Sequence, residues 1–283
     1  MQYTSRQDAV AKGCGFLAKE AGNLMSTTNT NRQIQDNFSQ LLILEVTGNV
    51  NITGKPVGTT KSFPDDFDTT SLAWTTLPIG ARSSEIARSV IDDILELNND
   101  GLITTYFDKS GLRIRTDPVV CINVLHLCYH HDYVSPALHI TLSHVISVLQ
   151  DRKYALGTYY YQSPDHFLFF LARLVCSENA LHLRATVLPL LQERLQERAS
   201  VIGDALELAM RILAAVWTGI YECAECLWEK DLQRLRELQN DDGSWKIGWL
   251  CRYGASGVLV GNQGLTTALA IKALEETKLS QEM

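Results

Sequence analysis

The stretch FPDDFDTTSLAW, residues 63–74, places Asp65, Asp66 and Asp68 within four positions, immediately before Thr69, Thr70 and an apolar run. A short oxygen-bearing side chain at a helix start accepts an orphan backbone N–H, and one acid suffices for that. The surplus has three chemical readings. It is a solvated turn, a magnesium site built from Asp65, Asp66 and Asp68, or a carboxylic acid held protonated by a like-charged neighbour and apolar surroundings. Phe67, Leu72 and Trp74 supply such surroundings. The threonines stand where a metal-binding run would carry further carboxylates.

Other residues of the right type are more scattered. His126 and His130 are four apart on one helix face with His131 next to them, but their helix is apolar and no carboxylate or cysteine at suitable spacing completes a metal set. His166 follows Asp165 at a helix start, which suits a cap or a polar neighbour of a cavity. The one C-x-x-C, Cys223 and Cys226, has no second pair. The seven cysteines are odd in number and fall mostly in apolar helical patterns, which suits reduced, buried thiols.

These residues need elements to hold them. Apolar residues at Val10, Cys14, Leu17, Ala21 and Leu24 form one stripe of an amphipathic helix, and STTNTN (26–31) after it is turn-prone, so residues 1–32 read as an N-terminal helix and linker. From Ile34, IQDNFSQLLILEV is a strongly apolar helix. Further helices are expected over about 69–77, 83–97, 117–130, 136–150, 164–178, 181–198, 201–215, 217–239 and 262–278, with Pro118, Pro136 and Pro164 at starts or turns. Convincing strands are missing. LELNNDGLITTYF, LQDRKYALGTYYY and LQNDDGSWKIGW share a helix end, a polar turn with glycine and an aromatic segment. This weak repeat suits stacked helix pairs, and residues 33–283 are long enough for the stack to close into an α/α toroid. A solenoid and an irregular bundle fit the periodicity equally.

With 283 residues, 46% hydrophobic and 20% charged, the composition is that of an ordinary globular protein. A net charge of -7 argues against a nucleic-acid surface or an anionic membrane patch, so any phosphate must be met by a few local arginines. No run approaches the roughly 18 to 20 apolar residues of a membrane span, and the N-terminus lacks a secretory h-region. A cytoplasmic location is expected.

LRELQNDDGSW contains Gln-x-x-x-Gly-x-Trp (Gln239, Gly243, Trp245), a pattern of terpene cyclases of the squalene–hopene type. Asp66-Phe67-Asp68-Thr69-Thr70 resembles the DxDTT acid motif of fungal sesquiterpene (drimane-type) cyclases, the haloacid dehalogenase-like terpene cyclases. DNFSQLLILEVTGN (36–49), RIRTDPVVCINVL (113–125) and NQGLTTALAIKALE (262–275) look like the same cyclase domain. The resemblance implies an all-α toroid of inner and outer helices. It implies class II cyclisation of farnesyl diphosphate to a monocyclic or drimane-type bicyclic product, begun by protonation with the diphosphate kept in place.

By the resemblance Asp68 is the proton donor, with Asp66 and Thr69 orienting it and Thr70 supporting the helix. The cation that follows needs aromatic faces, each worth about 2 kcal/mol when desolvated. Phe67, Trp74, Tyr159, Trp249 and Tyr253 are the candidates, with Tyr160, Phe167, Phe170, Trp217 and Trp245 behind them. The diphosphate needs Arg113, Arg115 and Arg252, with Lys55 and Lys61 as weaker options and a bound Mg²⁺ ion that Asp117 helps hold or else caps its helix. Many members carry an upstream phosphatase-like domain with a DxDGT or DxDTS motif, which the first 60 residues lack, so retention of the phosphate ester is expected. A non-catalytic toroid that binds a prenyl chain or a protein, and a protein prenyltransferase-like subunit with a zinc set, are the competing readings.

Overall fold

The computed structural model describes residues 5–53, 65–77, 84–133, 135–223 and 225–282. They form a mostly helical body with one small sheet, and no helix among them is long and apolar enough to cross a membrane. The helices are α1 (Arg6–Lys19), α2 (Asn37–Thr47), α3 (Phe67–Thr76), α4 (Ser84–Glu96), α5 (Pro118–His130), α6 (Leu138–Gln150), α7 (Pro164–Val175), α8 (Leu181–Gln196), α9 (Ala205–Trp217), α10 (Ile220–Cys223), α11 (Glu225–Glu237) and α12 (Gln263–Glu282).

Helix starts follow local chemistry. Asp36, Asp66, Asp117, Ser163 and Asp204 each accept a backbone N–H as N-cap, and Pro118 and Pro164 occupy first-turn positions where a missing N–H costs nothing. The order of packing follows from the apolar faces. α2 packs on α3, α3 on α5, α5 on α7, α7 on α9, α9 on α12, and α12 returns to α2. Within this series α5, α7 and α9 are buried over most of their length, as expected of helices covered on every side. α1, α6, α8 and α11 lie against α12, α5, α7 and α9, respectively.

Strands were not expected, yet six short ones are present among the described residues: β1 (Ser26–Thr28), β2 (Gln33–Ile34), β3 (Asn98–Asn99), β4 (Leu102–Ile103), β5 (Trp249–Arg252) and β6 (Leu259–Asn262). β1, β2, β5 and β6 make an antiparallel sheet in the order β2-β1-β6-β5, with Ser26 opposite Asn262. Strands of two to four residues are too short to display an alternating pattern. Instead of leaving 26–31 as a linker, this pairing ties it to the entrance of α12. Gly219, with a φ of 74°, separates α9 from α10, so the helix expected to begin at 217 starts at Ile220.

The Gln-x-x-x-Gly-x-Trp corner closes α11 as its sequence suggests. Gln239 Nε2 donates to the carbonyls of Gly243 and Ala9, and the Trp245 indole N–H donates to the Leu235 carbonyl at 2.7 Å. Gly243 has a φ of 89° and sits where a Cβ would lie 2.3 Å from the Lys12 carbonyl oxygen. Only glycine meets both conditions.

Candidate active site

The start of α3 is fixed before its first turn. Phe67 donates its N–H to the Thr105 carbonyl and Phe107 donates to the Asp65 carbonyl, so the segment 65–67 is paired with the loop 105–107. Asp66 then turns into the helix as N-cap, its Oδ1 accepting from Thr69 N–H at 2.6 Å and its Oδ2 from Thr69 Oγ1 at 3.2 Å. Two residues on, Asp68 points inward and is 8% exposed.

Asp68 has two donors. Asn123 Nδ2, on α5, lies 2.6 Å from Oδ1, and the Tyr161 hydroxyl, just before α7, donates to Oδ2. Burial and then the charge of Asp66 push the Asp68 carboxyl up to about 7, against the opposing pull of the Tyr161 and Asn123 hydrogen bonds. Asp66 is also raised, chiefly by burial. Of this coupled pair, Asp66 is the one that stays ionised, because its oxygens serve the helix N-terminus. A protonated Asp68 keeps both donors and has its own proton left over.

Asp68 lines a cavity of about 590 Å³. Its wall is built from the start of α2 (Asp36, Phe38), from α3 along its length (Asp66, Asp68, Trp74), from Tyr106 and Val120, from Tyr160 and Tyr161 at the entrance to α7, and from Cys251 to Tyr253 and Val260 on the sheet side. Apolar and aromatic groups dominate, with acids converging at one end. This is the form of a site for a largely apolar small molecule. A second cavity of similar size, about 600 Å³, lies between α1, the end of α2 and α12, lined by Cys14, Lys272 and Glu275 among apolar residues. It holds no buried acid with converging donors, so the chemistry belongs to the first.

The expected residues divide. Asp66, Asp68, Thr69, Trp74, Arg252 and Tyr253 line the cavity together. Phe67 does not; it is fully buried and packs edge-on against Phe107 at 4.5 Å, because the next position along a helix turns away from Asp68 and Asp66. Tyr159 and Trp249 lie outside the lining, their neighbours Tyr160, Tyr161 and Cys251 taking those places. Arg252 is a strut: Nε donates to the Tyr159 carbonyl at 2.9 Å and Nη2 to the Thr158 carbonyl at 2.5 Å. Arg113 and Arg115 are not in the lining; Arg115 is exposed, donates to the Tyr159 hydroxyl at 2.7 Å and lies over that ring. Lys55 and Lys61 fall outside the described residues.

Asp117 does not fit a metal. It is wholly buried, with Oδ1 accepting from Val119 N–H at 2.8 Å and Oδ2 from Tyr160 N–H at 2.9 Å. Its carboxylate caps α5 and anchors the backbone that carries Tyr160 and Tyr161. Among the described residues no three His, Cys, Asp or Glu side chains gather to hold an ion. His126 is buried with Nδ1 unpartnered, and His166 has both ring nitrogens buried without partners, its imidazole pushed down to about 4 by burial.

Asn123, Tyr161, Asp36 and Tyr106 were missed by sequence reasoning. Asn123 had a visible signal, since it stands alone as an amide in the otherwise apolar PVVCINVLHLC. Tyr161 stood one residue past the tyrosines chosen.

Residues 10–131 match the family described as sesquiterpene cyclase astC-like C-terminal domain. Over 96% of its length the chain is 38% identical to drimenol cyclase drtB of Aspergillus calidoustus, and it spans about half, 52%, of that curated relative. Among solved structures it resembles type II terpene cyclase MstE from Scytonema, with a TM-score of 0.68 at 12% identity over 97% of this chain and 99% of that one. An unsaturated glucuronyl hydrolase specific for heparin is also similar, with a TM-score of 0.53 at 10% identity over 98% of this chain and 97% of that one. At such identities these two likenesses concern the fold alone, and the second protein carries a different activity on it.

Proposed function

We propose that this chain is a class II terpene cyclase domain in which Asp68 protonates the far end of a linear prenyl chain bound in the 590 Å³ cavity. The observation that carries the reading is a buried carboxyl at the cavity wall, raised to about 7, whose two oxygens already have donors. Proton transfer to a terminal alkene carbon consumes its π pair and leaves a tertiary cation. Neighbouring alkenes close onto it, and loss of a C–H proton restores a double bond, so the product is an isomer of the substrate. The carboxylate left on Asp68 keeps its Tyr161 and Asn123 donors, which lowers the cost of giving up the proton.

The cavity suits the charge that develops. Faces of Trp74, Tyr106, Tyr160 and Tyr253 attract a cation, and the carboxylates of Asp36 and Asp66 add a negative field without placing water against it. The relative named a drimenol cyclase supports a sesquiterpene substrate. We take that substrate to be farnesyl diphosphate, closed to a monocyclic or bicyclic drimane-type diphosphate with the phosphate ester retained. Of the three expected arginines only Arg252 lines the cavity, and we assign it to the charged end, with Arg113 and Arg115 outside the lining; Mg²⁺ is assigned to the diphosphate itself, with no ligand from Asp117. The closed series of α2, α3, α5, α7, α9 and α12, with α1, α6, α8 and α11 outside it, supports an α/α toroid. A cytoplasmic location remains part of the proposal.

Incubation with farnesyl diphosphate and Mg²⁺, followed by phosphatase treatment and gas chromatography, tests the reading. Cyclic alcohols from the wild type that disappear with Asp68→Asn support it. Farnesol alone from both would sink it.

A further inference from the structure

We infer that Arg173 and Glu45 are positioning residues for the acid, acting through Asn123 to set which end of its amide faces Asp68. The inference rests on Asp68 being the proton donor. Asn123 is 1% exposed, with Nδ2 2.6 Å from Asp68 Oδ1 and, at its other end, Oδ1 3.4 Å from Arg173 Nη1. The two ends of an amide have nearly the same shape and opposite hydrogen-bonding character. Turned over, Asn123 would present its oxygen to the protonated acid and hold the proton that the cavity should receive. A guanidinium has only donors, so Arg173 tolerates only the oxygen and keeps the amide nitrogen on Asp68.

Arg173 is itself fixed. Nε lies 2.9 and 3.1 Å from the two Glu45 carboxylate oxygens, Nη2 is 2.5 Å from Oε1, and Nη2 also donates to Thr75 Oγ1 at 3.1 Å. This forked pairing offsets the buried charge and leaves Nη1 aimed at Asn123. Glu45 lies on α2, Thr75 and Asp68 on α3, Asn123 on α5 and Arg173 on α7, so one side chain registers four helices around the acid. Asp66, Asp117, Tyr161, Cys121 and Cys251 are the other titratable groups around Asp68. Around Arg173 they are Glu45, His126 and His130, the two histidines lowered mainly by burial.

The test reads the acid directly. In protein carrying ¹³C-labelled aspartate, the Asp68 carboxyl signal is the one lost in Asp68→Asn, and its midpoint is followed with pH. Arg173→Met should raise that midpoint by about one pH unit and lower kcat at least tenfold with KM within twofold, while Arg173→Lys restores part of both. Asn123→Leu should raise it too, and adding Arg173→Met to Asn123→Leu should move it no further. If Arg173→Met does not fold, Glu45→Gln loosens the same arginine and should shift the midpoint in the same direction by a smaller amount. Unchanged midpoints in the folded variants, or a double variant whose shifts add, would overturn the inference. The titration needs no substrate, so a wild type that makes no cyclic product would remove the cyclase reading and leave this result standing.

Discussion

Asp66 and Asp68 stand two residues apart at one helix start and do opposite things: Asp66 accepts from Thr69 as the N-cap, and Asp68 is buried against Asn123 and Tyr161. The first is served by the helix end and stays charged. The second feels that charge from a desolvated position and keeps its proton.

Activity should therefore fall as pH rises. With the Asp68 carboxyl at about 7, kcat for cyclisation is expected to lose about tenfold per pH unit above that value and to level off below it. A kcat profile from pH 5 to 9 checks this. A profile that rises through pH 7 would assign the group as a base.

The same shift has a stability sign. Because the folded protein holds the Asp68 proton more tightly than the unfolded chain, stability decreases between the unfolded value near 3.8 and about 7 and is constant above. Asp68→Asn removes that loss, so above pH 7 the variant should be more stable than wild type, by up to roughly 4 kcal/mol before lost packing is counted. Urea titrations at pH 5 and pH 8 would show the difference growing with pH.

Tyr161→Phe withdraws one donor from the carboxylate that remains after proton transfer. Its kcat should fall by about 10- to 100-fold with KM changed little, and the descending limb of the pH profile should move upward. Unaltered kcat would remove Tyr161 from the site.

Asp117→Ala should cost about 1 to 2 kcal/mol of stability through loss of the α5 cap, plus activity through release of the Tyr160 backbone. The concentration of Mg²⁺ giving half-maximal activity should not change. A tenfold rise in that concentration would restore Asp117 as a metal ligand.

Local chemistry made much of this protein legible. Caps such as Asp66, Asp117 before Pro118 and Ser163 before Pro164 announce themselves within a turn, and the acid pair reads directly from FPDDFDTT. What stayed hidden depends on chain separation. Asn123 and Tyr161 meet Asp68 across 55 and 93 residues, which no helical period encodes. Arg113 and Arg115 were expected to meet the diphosphate. Instead Arg115 is drawn to Tyr159, while Arg113 receives its backbone fix from Asp108. The sheet escaped because its strands are shorter than the pattern that reveals strands.

The corner at Gly243 has a practical side. Gln239 reaches the Ala9 carbonyl, Gly243 lies under Lys12, and a Cβ on Gly13 would come 2.8 Å from the Trp245 ring, so α1 is the cover of that tryptophan. Trimming the chain at residue 32 to obtain a minimal domain would unroof Trp245 and strip β1 from β6 in one cut. The shortest piece worth expressing starts ahead of Arg6, whose guanidinium grips the Leu274 carbonyl at the far end of the sequence.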